Sequence, residues 1–149
     1  MIKIKNLDDL QQFAVNLTAR LKSGDVVLLE GDLGAGKTTL SQMVGRLLGV
    51  RRTINSPTFN IIKSYQGSNL VFHHMDCYRL ENSDEDLGFE EYFEDDAITF
   101  IEWSQFIQDY LPSHFLRITI NVMDENTRTI DLDASGVHFE QIKEALEHD

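Results

Sequence analysis

Gly31-Asp32-Leu33-Gly34-Ala35-Gly36-Lys37-Thr38 is a complete G-x-x-x-x-G-K-T, and the rest of the chain organises itself around it. The apolar run Val26-Val27-Leu28-Leu29 leads into it, and helical periodicity over residues 38–48 follows, ending at Gly49. Strand, glycine loop and helix in that order are the context in which this motif binds phosphate. Glycines let the backbone wrap a phosphate tail with inward N–H groups, and the helix N-terminus adds a favourable field. The candidate phosphate cradle is therefore Asp32, Leu33, Gly34, Ala35, Gly36, Lys37, Thr38 and Thr39. Lys37 would reach the β- and γ-phosphates, and the Thr38 hydroxyl would sit on Mg²⁺.

Outward from the loop, Leu7, Leu10, Phe13, Ala14, Leu17 and Leu21 recur at helical spacing, predicting an amphipathic helix over residues 7–22. Asn6 is its candidate cap and Gly24 its stop. Residues 58–65 and 70–76 are strand-like and joined by Gln66-Gly67-Ser68-Asn69, which is a hairpin signal. Residues 116–122 and 127–133 predict a second hairpin, residues 97–102 an apolar strand, and residues 83–94 short acidic helices. A helix over residues 137–146, with Ser135 as candidate cap, ends the chain. The expectation is one domain over residues 1–149: α/β, P-loop NTPase-like, with a mixed sheet containing antiparallel hairpins, flanked by helices.

The 25 acidic residues against 13 Lys and Arg give a net charge of −12. Proteins that grip nucleic acid by its backbone carry a basic surface instead, so direct DNA or RNA binding is not expected. Much of the acid lies in residues 81–96, as a solvated surface or a docking face for a partner. No apolar stretch approaches the roughly 20 residues that span a bilayer, so no membrane role is expected. The start, Met1-Ile2-Lys3-Ile4-Lys5, lacks a signal-peptide pattern, and Cys77 stands alone, so a reducing, cytoplasmic setting is expected.

Three segments supply companions to the phosphate loop. In Ser56-Pro57-Thr58-Phe59, Thr58 is either a sensor of Mg²⁺ and γ-phosphate or a loop residue opening a strand. In His74-Met75-Asp76-Cys77-Tyr78-Arg79, Asp76 ends a strand as a Walker B aspartate does, with His74 on the same strand face. A zinc site from His73, His74, Asp76 and Cys77 is disfavoured, because neighbouring strand residues point to opposite faces. In Ile98-Thr99-Phe100-Ile101-Glu102-Trp103, Glu102 also ends an apolar strand and competes with Asp76 for the same role. One acid would support Mg²⁺ while the other orients the attacking water. Trp103 either stacks near the nucleotide or fills a half-buried core position. The absence of Asn-Lys-x-Asp and of an arginine-rich lid favours ATP over GTP, and hydrolysis over kinase transfer.

In combination, Gly31–Thr39, Ser56-Pro57-Thr58-Phe59, His74-Met75-Asp76-Cys77-Tyr78-Arg79-Leu80 and Ile101-Glu102-Trp103 resemble the TsaE family. These are small bacterial ATPases of tRNA threonylcarbamoyladenosine biosynthesis. The resemblance implies a P-loop fold modified by antiparallel strands, weak ATP hydrolysis with Mg²⁺, and two protein partners, TsaB and TsaD. That pair transfers the threonylcarbamoyl group to the adenosine beside the anticodon, so tRNA is met only indirectly. ATP would promote docking, and hydrolysis would reset the complex. The resemblance makes Asp76 and Glu102 the essential acids, beside Lys37 and Thr38, with Thr58 switch-like. Ser104 and Gln105 stand where the family pattern commonly has Pro and an acid; Gln105 can still hydrogen-bond but does not carry that acid's charge.

Overall fold

The computed structural model describes residues 1–32, 34–54, 61–80 and 88–148, excluding the side chain of Arg79. β2 (Val26–Glu30) is the middle strand of seven, with four of its five residues buried. An apolar run covered on both faces is what an interior parallel strand requires. Its two neighbours, both parallel to it, are β5 (Ala97–Glu102) and β6 (Phe115–Val122). β4 (Val71–Asp76) runs parallel to β5 on the far side. Two antiparallel hairpins widen this centre, β3 (Ile62–Gln66) on β4 and β7 (Arg128–Ser135) on β6. β1 (Ile2–Ile4) closes on β7, giving the order β1-β7-β6-β2-β5-β4-β3. The mixed sheet and both hairpins are as the sequence predicts, whereas β1 is not anticipated.

Alternation along β2 divides the core. Val27 and Leu29 pack under α1 (Leu7–Thr18), α2 (Lys37–Leu47) and α4 (Val137–His148). Val26 and Leu28 face the other layer, with Phe89 of α3 (Phe89–Phe93) and Ile107 of a 3-10 segment, Ser104–Tyr110. The short acidic helical region thus contains α3, while residues 81–87 lie outside the described residues.

Asn6 caps α1 as expected, its Oδ1 accepting from the Asp9 N–H at 2.8 Å. The helix stops at Thr18 rather than residue 22. Bonds from Arg20 N to Leu17 O and from Leu21 N to Thr18 O tighten its end into a narrower turn. Leu21 still packs on the core from that turn. Ser135 is not the cap of α4. It ends β7 and donates its hydroxyl to Ser113 O at 2.6 Å, while Gly136, at φ +101°, turns the chain into the helix. No helix among the described residues is long and apolar enough to cross a membrane.

Candidate nucleotide site

The phosphate loop leaves the carboxyl end of β2 pressed against β6. At Gly31, with φ +144°, a β-carbon would stand 2.5 Å from the Ile120 carbonyl oxygen. Gly34 and Gly36 also hold positive φ, at +80° and +115°, and Gly36 opens α2 by accepting the Leu40 N–H at 2.9 Å. Only glycine takes these conformations without strain. The loop is braced from the far hairpin, where Arg128 Nε donates to Ala35 O at 3.3 Å and its Nη1 to Asp124 O at 2.8 Å. Sequence reasoning missed that brace, because its partners are 93 residues apart and share no motif.

Lys37 begins α2 almost wholly buried, and its ammonium lies 4.2 Å from the Trp103 ring centroid. The Thr38 hydroxyl donates to Glu102 Oε2 at 3.3 Å. Asp76 and Glu102 stand opposite each other at the carboxyl ends of β4 and β5. The Cys77 N–H donates to the Glu102 carbonyl at 3.0 Å, and Asp76 Oδ1 accepts the Tyr78 N–H at 3.1 Å. Lys37, Thr38, Thr39, Asp76, Glu102 and Trp103 line one cleft of about 220 Å³, together with Gly34 and Gly36. Eight of the residues named from sequence therefore meet in a single place. Ala35 lies in the loop backbone, and Asp32 lines an adjoining cleft with Lys37, Trp103 and Gln105. Leu33 and Thr58, with the whole Ser-Pro-Thr-Phe segment, lie outside the described residues.

Trp103 is half-buried and is the one non-glycine residue with positive φ (+58°) among the described residues. It holds that conformation against Tyr78, edge-on at 4.9 Å, and Phe106, stacked at 6.1 Å. It lies on the Lys37 side of the loop, away from a cleft of about 600 Å³ on the Thr39 side. Asn6, Leu7, Asn126 and Arg128 line that second cleft.

The consecutive histidines of β4 part as strand alternation requires. His73 contacts the Ser64 hydroxyl at 2.7 Å and Asp95 at 3.1 Å, whereas His74 Nε2 lies 2.7 Å from Glu102 Oε2. Burial, and then the neighbouring Asp76 charge, push the Cys77 thiol up to about 12. Among residues 88–96 the acids are partly engaged, Asp95 by His73 and Asp96 by the Ser23 hydroxyl.

A glycine loop at the carboxyl end of a central parallel strand, facing a lysine, a hydroxyl and two carboxylates, defines a P-loop-like α/β protein. The chain belongs to the TsaE family, whose model, described as threonylcarbamoyl adenosine biosynthesis protein TsaE, matches residues 4–130. The tRNA threonylcarbamoyladenosine biosynthesis protein TsaE of Bacillus subtilis (strain 168) is 42% identical over 141 residues, 95% of this chain and 89% of that protein. Its namesake in Rickettsia felis is 39% identical over 131 residues, 86% of this chain and 76% of that protein. The crystal structure of Bacillus subtilis YdiB aligns with a TM-score of 0.82 at 36% identity, covering 98% of this chain and 92% of that one.

Proposed function

We propose that the chain binds and hydrolyses ATP with Mg²⁺ in the cleft between α2, β4 and β5, in support of tRNA threonylcarbamoyladenosine formation. One observation carries this: Thr38, Asp76 and Glu102, far apart in sequence, converge with Lys37 on the glycine loop. Hydroxyl and carboxylate oxygens are the donors that a small hard cation takes. Bound there, Mg²⁺ would neutralise charge on the β- and γ-phosphates.

The chain's own residues supply the rest. Loop N–H groups and the α2 N-terminus hold the phosphate oxygens, and Lys37 leaves the Trp103 ring to balance their charge. Thr38 and Asp76 hold the cation directly or through water, and Glu102, tied to Thr38, orients the attacking water. Thr58 as a γ-phosphate sensor rests on the family motif. The cleft on the Thr39 side takes the nucleoside, since Thr39 and the loop glycines line both it and the phosphate cleft. Docking to the TsaB–TsaD pair depends on ATP, and hydrolysis resets the complex. A net charge of −12 suits a cytoplasmic factor that meets protein partners and reaches tRNA only through them.

Phosphate release from Mg·ATP, by the chain alone and with the TsaB–TsaD pair, tests this. A slow basal rate that rises with the pair is expected. ATP binding with a rate indifferent to the pair would overturn partner-coupled hydrolysis in favour of a nucleotide-gated binding module.

A further inference from the structure

Glu102 is asked to act at the reacting end of the nucleotide, yet a glutamate side chain has a soft terminal torsion. Its backbone is fixed by the β4–β5 ladder and by the bond from Cys77 N, which leaves the carboxylate plane to be set by side chains. Two of them bind the same oxygen. Thr38 Oγ1 reaches Oε2 at 3.3 Å, and His74 Nε2 reaches it at 2.7 Å, the shorter of the two anchors. No described residue hydrogen-bonds the other oxygen, Oε1, while the residue itself lines the phosphate cleft.

His74 is fully buried. Its ring lies along that of Phe72, with centroids 6.4 Å apart, and Phe100 is its register partner on β5. Nδ1 has no hydrogen-bond partner among the described residues. A carboxylate oxygen accepts, so the close contact calls for a proton on Nε2, and Nδ1 is left without a partner beside Phe72 and Phe100. A histidine buried for packing alone gains nothing from this arrangement. A wholly apolar side chain would fill the same space without the unpaired nitrogen.

We propose that His74 is a positioning residue for Glu102, holding Oε2 from β4 so that Oε1 addresses the occupant of the cleft. The inference rests on the assignment of Glu102 to the ATPase site, and a nucleotide-free measurement separates the two. In the protein without nucleotide, nitrogen–proton correlation of the imidazole should show a proton on His74 Nε2, with its signal displaced in Glu102→Ala. An Nε2 without a proton, or no response to Glu102→Ala, would overturn the inference without touching the site assignment.

Turnover supplies the second arm. His74→Leu should lower kcat by about 10–100-fold, the range for removing a residue that orients a site ligand. Its affinity for a fluorescent ATP analogue should stay near that of the parent. His74→Gln, which returns a donor N–H, should restore much of the loss, and His74→Leu should add little in a Glu102→Gln background. Full turnover by His74→Leu while Glu102→Ala is inactive would overturn the inference. Full turnover by Glu102→Ala would overturn the site assignment itself. If His74→Leu fails to fold, the imidazole spectrum and His74→Gln still decide.

Discussion

The Lys37 ammonium lies 4.2 Å from the centre of the Trp103 ring, so the lysine of the phosphate loop rests on an aromatic face. A contact of this kind contributes about 0.5–2 kcal/mol, less than a charge-assisted bond to phosphate offers in a desolvated site. Trp103 is the single tryptophan, so departure of Lys37 from it is directly observable. Mg·ATP should change the intrinsic fluorescence of the wild-type chain and leave that of Lys37→Ala nearly unaltered. An identical response in both would mean that the lysine does not leave the ring for phosphate.

The facing acids of β4 and β5 should separate binding from turnover. Asp76→Ala and Lys37→Ala are expected to abolish support of threonylcarbamoyladenosine formation in a reconstituted assay. Glu102→Gln should still bind ATP and its partners yet fail to recycle. Multiple turnover by Glu102→Gln, followed by product formation over time, would remove the water-orienting role.

Gly31→Ala tests how the loop is seated. The added β-carbon would meet the Ile120 carbonyl at 2.5 Å, with φ at +144°. Backbone strain of this kind costs about 1–3 kcal/mol, so a lowered thermal midpoint and weaker nucleotide binding are expected together. Gly34→Ala, whose β-carbon would meet nothing within 4 Å, should lose less stability.

Arg128 reaches the loop from a distant hairpin, bonding both Ala35 O and Asp124 O. Its loss should raise the Kd for an ATP analogue by about tenfold, or 1.4 kcal/mol. Arg128→Lys should not rescue, since an ammonium cannot reproduce the guanidinium fork. Titration with a fluorescent analogue would check both.

The buried Cys77 thiol, pushed up from 9.0 to about 12, makes stability depend on alkaline pH. Below pH 9 the thiol is protonated in folded and unfolded chains alike and contributes no slope. Between about 9 and 12 only the unfolded chain gives up its proton, so stability falls by about 1.4 kcal/mol per pH unit. Urea midpoints of wild type and Cys77→Ala, taken at pH 8 and pH 10, should show the wild type losing ground by about that amount.

The parts of this fold carried by a local pattern were legible in the sequence. The Val26–Leu29 run, the glycine loop, the helix after it and the two turn-marked hairpins each show their own period or punctuation. β1 did not, because Ile2-Lys3-Ile4 is too short to register alternation and becomes a strand only by pairing with Arg128–Ile130. The 3-10 segment Ser104–Tyr110 escaped for a similar reason. It is held by packing on Trp103 and Leu28 rather than by helical spacing. In the site, Thr38, Asp76 and Glu102 declared themselves by lying at element ends. The bond between His74 and Glu102 spans 28 residues and depends on β4 settling beside β5, which no local pattern encodes.

The position of β2 also sets when the molecule can exist during synthesis. Its neighbours are β5 and β6, so the strand that carries the phosphate loop has no partner until residues 97–102 have been made, and its second only after residues 115–122. Until then Val26-Val27-Leu28-Leu29 is an unpaired apolar edge on the nascent chain, the kind of segment that chaperones engage. Pairings between strands this far apart in sequence form late, because loop closure must come first. A chain released before β5 is complete would carry the entire glycine motif and still lack the cleft that the motif shares with Glu102.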